Sequence, residues 1–189
     1  MIRTFIAVDL SREVRDSLAG EITRLARILP SARWVNPEGM HLTLAFLGEL
    51  VDAQLSDTTA ATIEAARQSS PFTLRLEGLG TFGGPRTPRV LWVGAGGDVT
   101  QLLALQRNLA SALEARGFPR EERAFSPHLT LARIKGPLPQ AELAKLPQAL
   151  ATAIPSLTWP VNEALVMKSE LARPGARYTA LQHIPLGSR

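Results

Sequence analysis

The chain has 189 residues, a formal charge of +4 and no cysteine, which excludes disulfides, thiolate nucleophiles and cysteine-based metal sites. Hydrophobic residues make up 45% of it and no apolar run reaches the length of a membrane span, so we expect one globular domain over residues 1–189. Of its 21 basic residues 18 are arginine, which suits a phosphate-rich nucleic-acid partner, although a compositional bias of the genome is the simpler explanation.

The pattern of apolar, glycine and proline residues predicts the following elements over the first half of the chain: a strand at 2–10, a helix from Ser11 to Pro30, an extended piece at 34–35, a turn at 36–39, a strand from His41 that ends at Gly48, a helix at 52–68 and a strand at 72–79. The chain goes straight into its first strand without a signal-peptide pattern, so we expect a cytoplasmic protein.

The second half predicts a loop at 83–88, a strand at 89–94, a helix at 100–116, a strand from His128, a helix at 140–150, a strand at 157–169, a turn at 173–175 and a strand at 178–184. This order predicts an α+β fold with a rough internal duplication. Two such units related by a pseudo-two-fold axis would place the strands that begin at His41 and His128 side by side across a cleft.

The pentapeptide His-Leu-Thr-Leu-Ala occurs twice, at 41–45 and at 128–132, and holds two of the three histidines in the chain. In a strand, alternation places His41 and Thr43 on one face, and His128 and Thr130 likewise. Residues two apart lie about 7 Å from each other, so one phosphate could contact both a ring nitrogen and a hydroxyl. His183 has no such context and is given no role.

A single strand of this kind is most simply a half-buried strand whose histidine and threonine face solvent. Two copies in one small chain weaken that explanation and point to a pair of groups for proton transfer. Histidine, with an ordinary pKa near 6.5, can accept or donate a proton near neutral pH. Such a pair suits phosphoester chemistry.

Several stretches beyond the two motifs match one family: 3–8, 34–49, 78–83, 89–92, 125–133 and 178–186. In these the chain resembles the 2H phosphoesterase superfamily, which has two His-x-Thr-x motifs, and within it the bacterial and archaeal RNA 2′,3′-cyclic phosphodiesterases, also called 2′-5′ RNA ligases. The resemblance implies an α+β fold of bilobal, duplicated antiparallel sheets with flanking helices around a central cleft, one motif coming from each lobe.

The resemblance also implies metal-independent hydrolysis of RNA 2′,3′-cyclic phosphate ends to 2′-phosphate, with joining of RNA ends by a 2′-5′ linkage as the reverse chemistry. It casts His41 as the proton donor and His128 as the proton acceptor. The residues alone cannot choose between these roles, because the two copies are nearly identical, so the swapped assignment stays open. Thr43 and Thr130 would donate hydrogen bonds to the non-bridging phosphate oxygens.

Other candidate residues are more ambiguous. Arg133 follows the second motif at a position where the family usually has arginine, but strict alternation places it on the face opposite to His128. It reaches phosphate only if the strand bends or ends there, and a structural ion pair is the alternative. Three aromatic residues could stack on a base or could simply pack in the core or at its rim: Trp34, Phe46 and Trp92.

No metal or cofactor is expected, because two histidines without a clustered carboxylate make a poor metal site and no Walker-type or G-x-G-x-x-G loop is present. We expect a monomer that acts on RNA with a 2′,3′-cyclic phosphate terminus and has no membrane partner. Two other functions stay open. One is a phosphodiesterase for a small cyclic nucleotide or ADP-ribose cyclic phosphate, and the other is a non-catalytic protein that binds RNA ends.

Overall fold

A computed structural model describes residues 1–171 and 176–187 of the chain. The helices are α1 Arg12–Ile28, α2 Asp52–Arg67, α3 Val99–Glu114 and α4 Gln140–Ala151. The strands are β1 Ile2–Val8, β2 Arg33–Trp34, β3 Leu42–Leu50, β4 Phe72–Gly84, β5 Thr87–Gly97, β6 His128–Arg133, β7 Thr158–Val161, β8 Glu163–Leu171 and β9 Ala176–Pro185. None of the helices in this part of the chain is long and apolar enough to cross a membrane.

The strands form two antiparallel sheets, and each sheet contains one of the two motifs. The first sheet has the order β3-β1-β8-β9 and carries the first motif on its edge strand β3. The second has the order β2-β6-β5-β4-β7 and carries the second motif on β6. The sheets meet through β3 and β6, so the motif strands do lie together. The predicted α+β class is confirmed.

Each sheet is built from both halves of the chain. The hairpin β4–β5 follows the first motif in sequence, yet it pairs with β6 in the sheet of the second motif. The hairpin β8–β9 follows the second motif and pairs with β1 in the sheet of the first. Neither sheet is therefore completed by its own half of the duplication. That residues 1–189 form one domain stays a prediction.

Helix α1 illustrates how the local pattern specifies an element. The hydroxyl of Ser11 accepts a hydrogen bond from the backbone N–H of Val14 (3.3 Å), as expected of an N-cap residue. Four residues at three- and four-residue spacing form its buried face: Val14, Leu18, Ile22 and Leu25. This face and the buried leucines of α3 belong to one hydrophobic core together with the buried leucines of the two motif strands.

Two element boundaries predicted from glycine are wrong. Gly48 does not end β3, which continues to Leu50; with a φ of +73° it lies where the pairing of β3 with β1 shifts register. Glycine adopts this conformation without a Cβ clash, so it marks a bulge here and not a strand end. The predicted loop at 83–88 is a tight hairpin in which β4 and β5 stay paired up to Gly84 and Thr87.

The stretch predicted as one strand at 157–169 is two strands that belong to different sheets. β7 is an edge strand of the second sheet, and β8 is an inner strand of the first, with Asn162 between them. An edge position suits Pro160, which cannot donate a ladder hydrogen bond. The turn predicted at Arg173–Gly175 lies outside the described residues.

Candidate active site

Each copy of the pentapeptide contains one extra residue in the strand pairing, and it is the same residue in both copies. On β3 the extra residue is Leu44, because Thr43 and the alanine at 45 pair with adjacent residues of β1. On β6 it is Leu131, because Thr130 and the alanine at 132 pair with adjacent residues of β5. Both leucines are buried. The repeated sequence therefore forms the same bulged strand twice.

A bulge restarts the alternation of side chains, so the residue five positions after each histidine returns to the face of the histidine and threonine. We call this face of each sheet its cleft face. The residue concerned is Phe46 on β3 and Arg133 on β6. Arg133 pairs with Val90, which shares its face of β5 with Trp92, the partner of Thr130. The expectation from strict alternation, that Arg133 points away from the histidine, is wrong.

Both motif histidines make the same local hydrogen bond. Nδ1 of His41 lies 2.8 Å from the carbonyl oxygen of Gly39, and Nδ1 of His128 lies 2.7 Å from that of Ser126. A carbonyl oxygen can only accept, so in each ring Nδ1 carries the hydrogen. In the neutral form Nε2 is then left as the basic nitrogen, and in the charged form it is a donor. Each motif thus presents one Nε2 for proton transfer.

The turn that supports His41 is held by an arginine from α1. The Arg15 guanidinium forms an ion pair with Asp9 and donates to three backbone carbonyls of the turn, those of Pro37 (3.1 Å), Glu38 (3.0 Å) and Met40 (2.8 Å). These contacts fix the backbone on both sides of Gly39, the acceptor for His41. Sequence reasoning missed Arg15, because no local signal links a helix residue to a turn more than 20 positions later.

Two aromatic rings enclose His41. The Phe5 ring stacks on the imidazole with centroids 4.4 Å apart and an interplanar angle of 26°. The Tyr178 ring meets it edge-on at 4.9 Å and also meets Phe5 edge-on at 5.5 Å. His41 therefore sits in a largely apolar setting, although its Nδ1–H is satisfied by the backbone.

This enclosure lowers the pKa of His41 below its ordinary value of 6.5. Burial is the main cause, since it disfavours the charged imidazolium, and the nearby Arg15 guanidinium acts in the same direction. The hydrogen bond to Gly39 and the carboxylate of Asp9 act in the opposite direction and only partly offset it.

His128 has different aromatic neighbours from His41. Phe82 meets its ring edge-on at 4.8 Å and lies 5.4 Å from Trp92. The Trp92 indole lies over Gly80, where an added Cβ would come within 2.2 Å of the ring. Within the described residues the buried Trp92 indole N–H has no hydrogen-bond partner. Trp92 therefore packs beneath Phe82 and is not free to take a base.

Of the other two candidate aromatics, only Phe46 is exposed. Trp34 is half-buried, packs against the core and donates its indole N–H to the Leu29 carbonyl (3.2 Å). Phe46 is 57% exposed, and the Arg3 guanidinium lies 5.1 Å from the centre of its ring. An exposed aromatic ring on a cleft face is available to a ligand.

Thr43 and Thr130 are half-buried on the cleft faces. In the part of the chain that the structure describes, neither hydroxyl makes a side-chain hydrogen bond of the kind that occupies Thr4 or Thr58.

His183 lies elsewhere on β9, where its Nδ1 pairs with Glu163 at 2.9 Å. Among residues 1–171 and 176–187, no three His, Cys, Asp or Glu side chains cluster as a metal site.

Comparison with known proteins gives a consistent result. A family model described as the 2′-5′ RNA ligase superfamily matches residues 14–173. A relative from Methanothermobacter thermautotrophicus, named RNA 2′,3′-cyclic phosphodiesterase, is 34% identical over 96% of this chain and 97% of its own.

Two solved structures share the fold at appreciable identity. The protein TT0787 of Thermus thermophilus has a TM-score of 0.82 at 34% identity, covering 98% of both chains. Escherichia coli LigT complexed with 3′-AMP has a TM-score of 0.75 at 29% identity, covering 99% of both chains.

We expect Arg15→Ala to loosen the turn that carries Gly39, and with it the Nδ1–H hydrogen bond of His41. Nitrogen-15 NMR of the imidazole above its pKa should show a single Nδ1–H tautomer in the native protein and a mixture in the variant. Arg12→Ala is the matched control, because the Arg12 side chain is 94% exposed and, in the described part of the chain, forms its one ion pair with Asp16 at 3.8 Å. A pure Nδ1–H tautomer for His41 in Arg15→Ala would contradict this role.

We expect Tyr178→Ala to raise the pKa of His41 towards 6.5, because removing the ring hydrates the imidazole and so favours its charged form. Tyr178→Phe keeps the ring and should leave the pKa low. An NMR titration of the three proteins measures the change. If the pKa stays at its native value in Tyr178→Ala, enclosure by this ring is not what lowers it.

Proposed function

The chain belongs to the 2′-5′ RNA ligase superfamily, and from this membership we propose that it is an RNA 2′,3′-cyclic phosphodiesterase, which opens the cyclic phosphate at an RNA end and leaves a 2′-phosphate. The family resemblance predicted from the sequence is confirmed. The observation that carries the proposal is that two motifs on meeting strands each present a histidine Nε2 and a threonine hydroxyl on one face.

The proposed reaction uses one proton acceptor and one proton donor. Nε2 of His128 takes a proton from water as the water oxygen attacks phosphorus. The bond between phosphorus and the 3′ oxygen breaks, and Nε2 of His41 gives its proton to that oxygen. The 2′ ester bond survives, so the product carries a 2′-phosphate and a free 3′ hydroxyl. The Nδ1–H bonds to the backbone keep both Nε2 atoms available for these transfers.

Three further residues are proposed to hold the phosphate. The hydroxyls of Thr43 and Thr130 donate to its non-bridging oxygens, where negative charge develops in the transition state. Arg133 adds a guanidinium that suits the same oxygens, and its position on the cleft face supports this role over a structural ion pair. Phe46, exposed beside the first motif, offers a ring on which a base can stack.

The lowered pKa of His41 is compatible with the donor role, although burial also favours the neutral ring that a proton acceptor needs. A lowered pKa makes the protonated imidazole a stronger acid, which passes its proton more readily to the departing oxygen. The anionic phosphate of a bound substrate offsets the cost of charging the ring. The swapped assignment is the alternative.

The proposal requires no metal and no cofactor, and its partner is RNA with a 2′,3′-cyclic phosphate end. Ligation is the same opening of the cyclic phosphate with a 5′ hydroxyl as the nucleophile in place of water, which leaves a 2′-5′ linkage and a free 3′ hydroxyl. We propose a monomer that works in the cytoplasm. The competing candidates are a phosphodiesterase for a small cyclic nucleotide or ADP-ribose cyclic phosphate, and a protein that binds RNA ends without turnover.

The decisive measurement is hydrolysis, in EDTA, of a short RNA that ends in a 2′,3′-cyclic phosphate. The native protein should yield a 2′-phosphate, and His41→Ala and His128→Ala should each lose roughly 10²–10⁴-fold in rate, the usual contribution of a general acid or base. His183→Ala is the matched control and should keep full activity, since this histidine pairs with Glu163 and lies on β9, the edge strand opposite to β3 in the first sheet.

Each other outcome rejects a part of the proposal. Inhibition by EDTA would reject the metal-independent mechanism. Turnover of only a mononucleotide cyclic phosphate would favour the small-molecule alternative, and tight RNA binding without turnover would favour the binding protein.

The residual rates of the two variants should separate donor from acceptor. His128→Ala retains only the group that must be protonated, so its rate should fall as pH rises through the lowered pKa of His41. His41→Ala retains only the group that must be deprotonated, so its rate should rise with pH. If the rate of His128→Ala rose with pH and that of His41→Ala fell, the roles would be swapped. If both variants kept a bell-shaped profile, with a rate that rises and then falls with pH, the two-histidine mechanism would be rejected.

A further inference from the structure

We propose that Arg33, which lies beside Arg133 on the neighbouring strand, binds the phosphodiester that precedes the terminal nucleotide, so that the protein selects RNA ends over free nucleoside cyclic phosphates. This inference rests on the proposed function, to which it adds a determinant of substrate class. Arg33 lies outside both motifs and has no role in the proposed reaction.

The two arginines are direct neighbours on adjacent strands. β2 pairs with β6 in a register that places Arg33 opposite Arg133 and Trp34 opposite Ala132. Residues directly opposite in an antiparallel pair have Cβ atoms about 5 Å apart and point to the same face. Ala132 is fully buried, so its neighbour Arg133 and the opposing Arg33 face the other way, onto the cleft face, and both are exposed.

Their charges are not compensated within the described part of the chain. None of the ion pairs among residues 1–171 and 176–187 includes Arg33 or Arg133. Like charges directly opposite on a sheet destabilise it, and an anion placed between them removes that penalty. Two guanidinium forks side by side suit a phosphate, whose oxygens accept several donors at once.

The pair lies one step away from the proposed catalytic phosphate position. On β5, Trp92 pairs with Thr130 and Val90 pairs with Arg133. These two rows of the sheet are two residues apart, about 7 Å, which is comparable to the separation of neighbouring phosphates along a nucleic-acid strand. When Thr130 and the long side chain of Arg133 hold the terminal phosphate, the preceding phosphodiester lies within reach of Arg33.

Within residues 1–171 and 176–187, β2 is an edge strand of its sheet, and Arg33 is exposed on it. The remaining RNA can leave over this edge, and a nucleoside cyclic phosphate, which has no second phosphate, leaves the site unfilled. The sheet of the first motif has Phe46 at the position that corresponds to Arg133, so only the second sheet presents two arginines at this row.

The test compares adenosine 2′,3′-cyclic phosphate with the dinucleotide ApA that ends in a 2′,3′-cyclic phosphate. We expect Arg33→Ala to lower kcat/KM about tenfold more for the dinucleotide than for the mononucleotide, the effect of losing one charge-assisted hydrogen bond. Arg33→Lys should recover part of the loss, because it restores the charge without the fork. Arg107→Ala, an exposed arginine on α3, is the matched control and should leave the ratio unchanged.

A third substrate isolates the contact from any structural effect of the substitution. In ApA with a neutral methylphosphonate linkage the internal charge is absent. The native protein should therefore show a kcat/KM about tenfold lower on this substrate than on ordinary ApA, and Arg33→Ala should lower that value little further. Equal losses on all three substrates, or no loss on any, would overturn the inference. If the native protein turned over none of them, the proposed function itself would fail, which is a distinct result.

Discussion

The candidate site depends on one extra residue in each motif strand. An unbroken strand would place His, Thr and the next alternate residue on one face and would send the residue five positions after the histidine into the core. Because Leu44 and Leu131 are inserted into the pairing, that residue reaches the cleft face and both leucines stay buried. A bulge is thus what lets a five-residue sequence supply a proton-transfer group, a hydroxyl and a third ligand contact together.

The second local device is the hydrogen bond from each histidine to the carbonyl two residues before it. It sets the same tautomer in both rings without a carboxylate partner. The surroundings then make the copies unequal. His41 is enclosed by Phe5 and Tyr178 and supported through Arg15, whereas His128 rests against Phe82. Two identical sequences thus stand in different environments, and for His41 the enclosure lowers the pKa of the imidazole.

Each motif strand lies in a sheet with a hairpin from the other half of the chain. β4–β5 supports the second motif although it follows the first, and β8–β9 supports the first although it follows the second. As a result Phe82 reaches His128, and Tyr178 reaches His41, from opposite halves of the chain. Each motif therefore depends on strands from both halves of the chain, and one shared core packs against both sheets.

The sequence by itself determined the α+β class, the helices, the two motif strands and the sharing of a face by each histidine and threonine, because these follow from local periodicity, capping and repetition. Only the tertiary structure decided the rest. The side of Arg133 depends on a bulge that alternation cannot reveal, and the split of 157–169 depends on which sheet each piece joins. The enclosure of His41 and its support by Arg15 arise from contacts between residues far apart in the chain. Such contacts depend on how complete elements pack, and no short window of sequence contains that information.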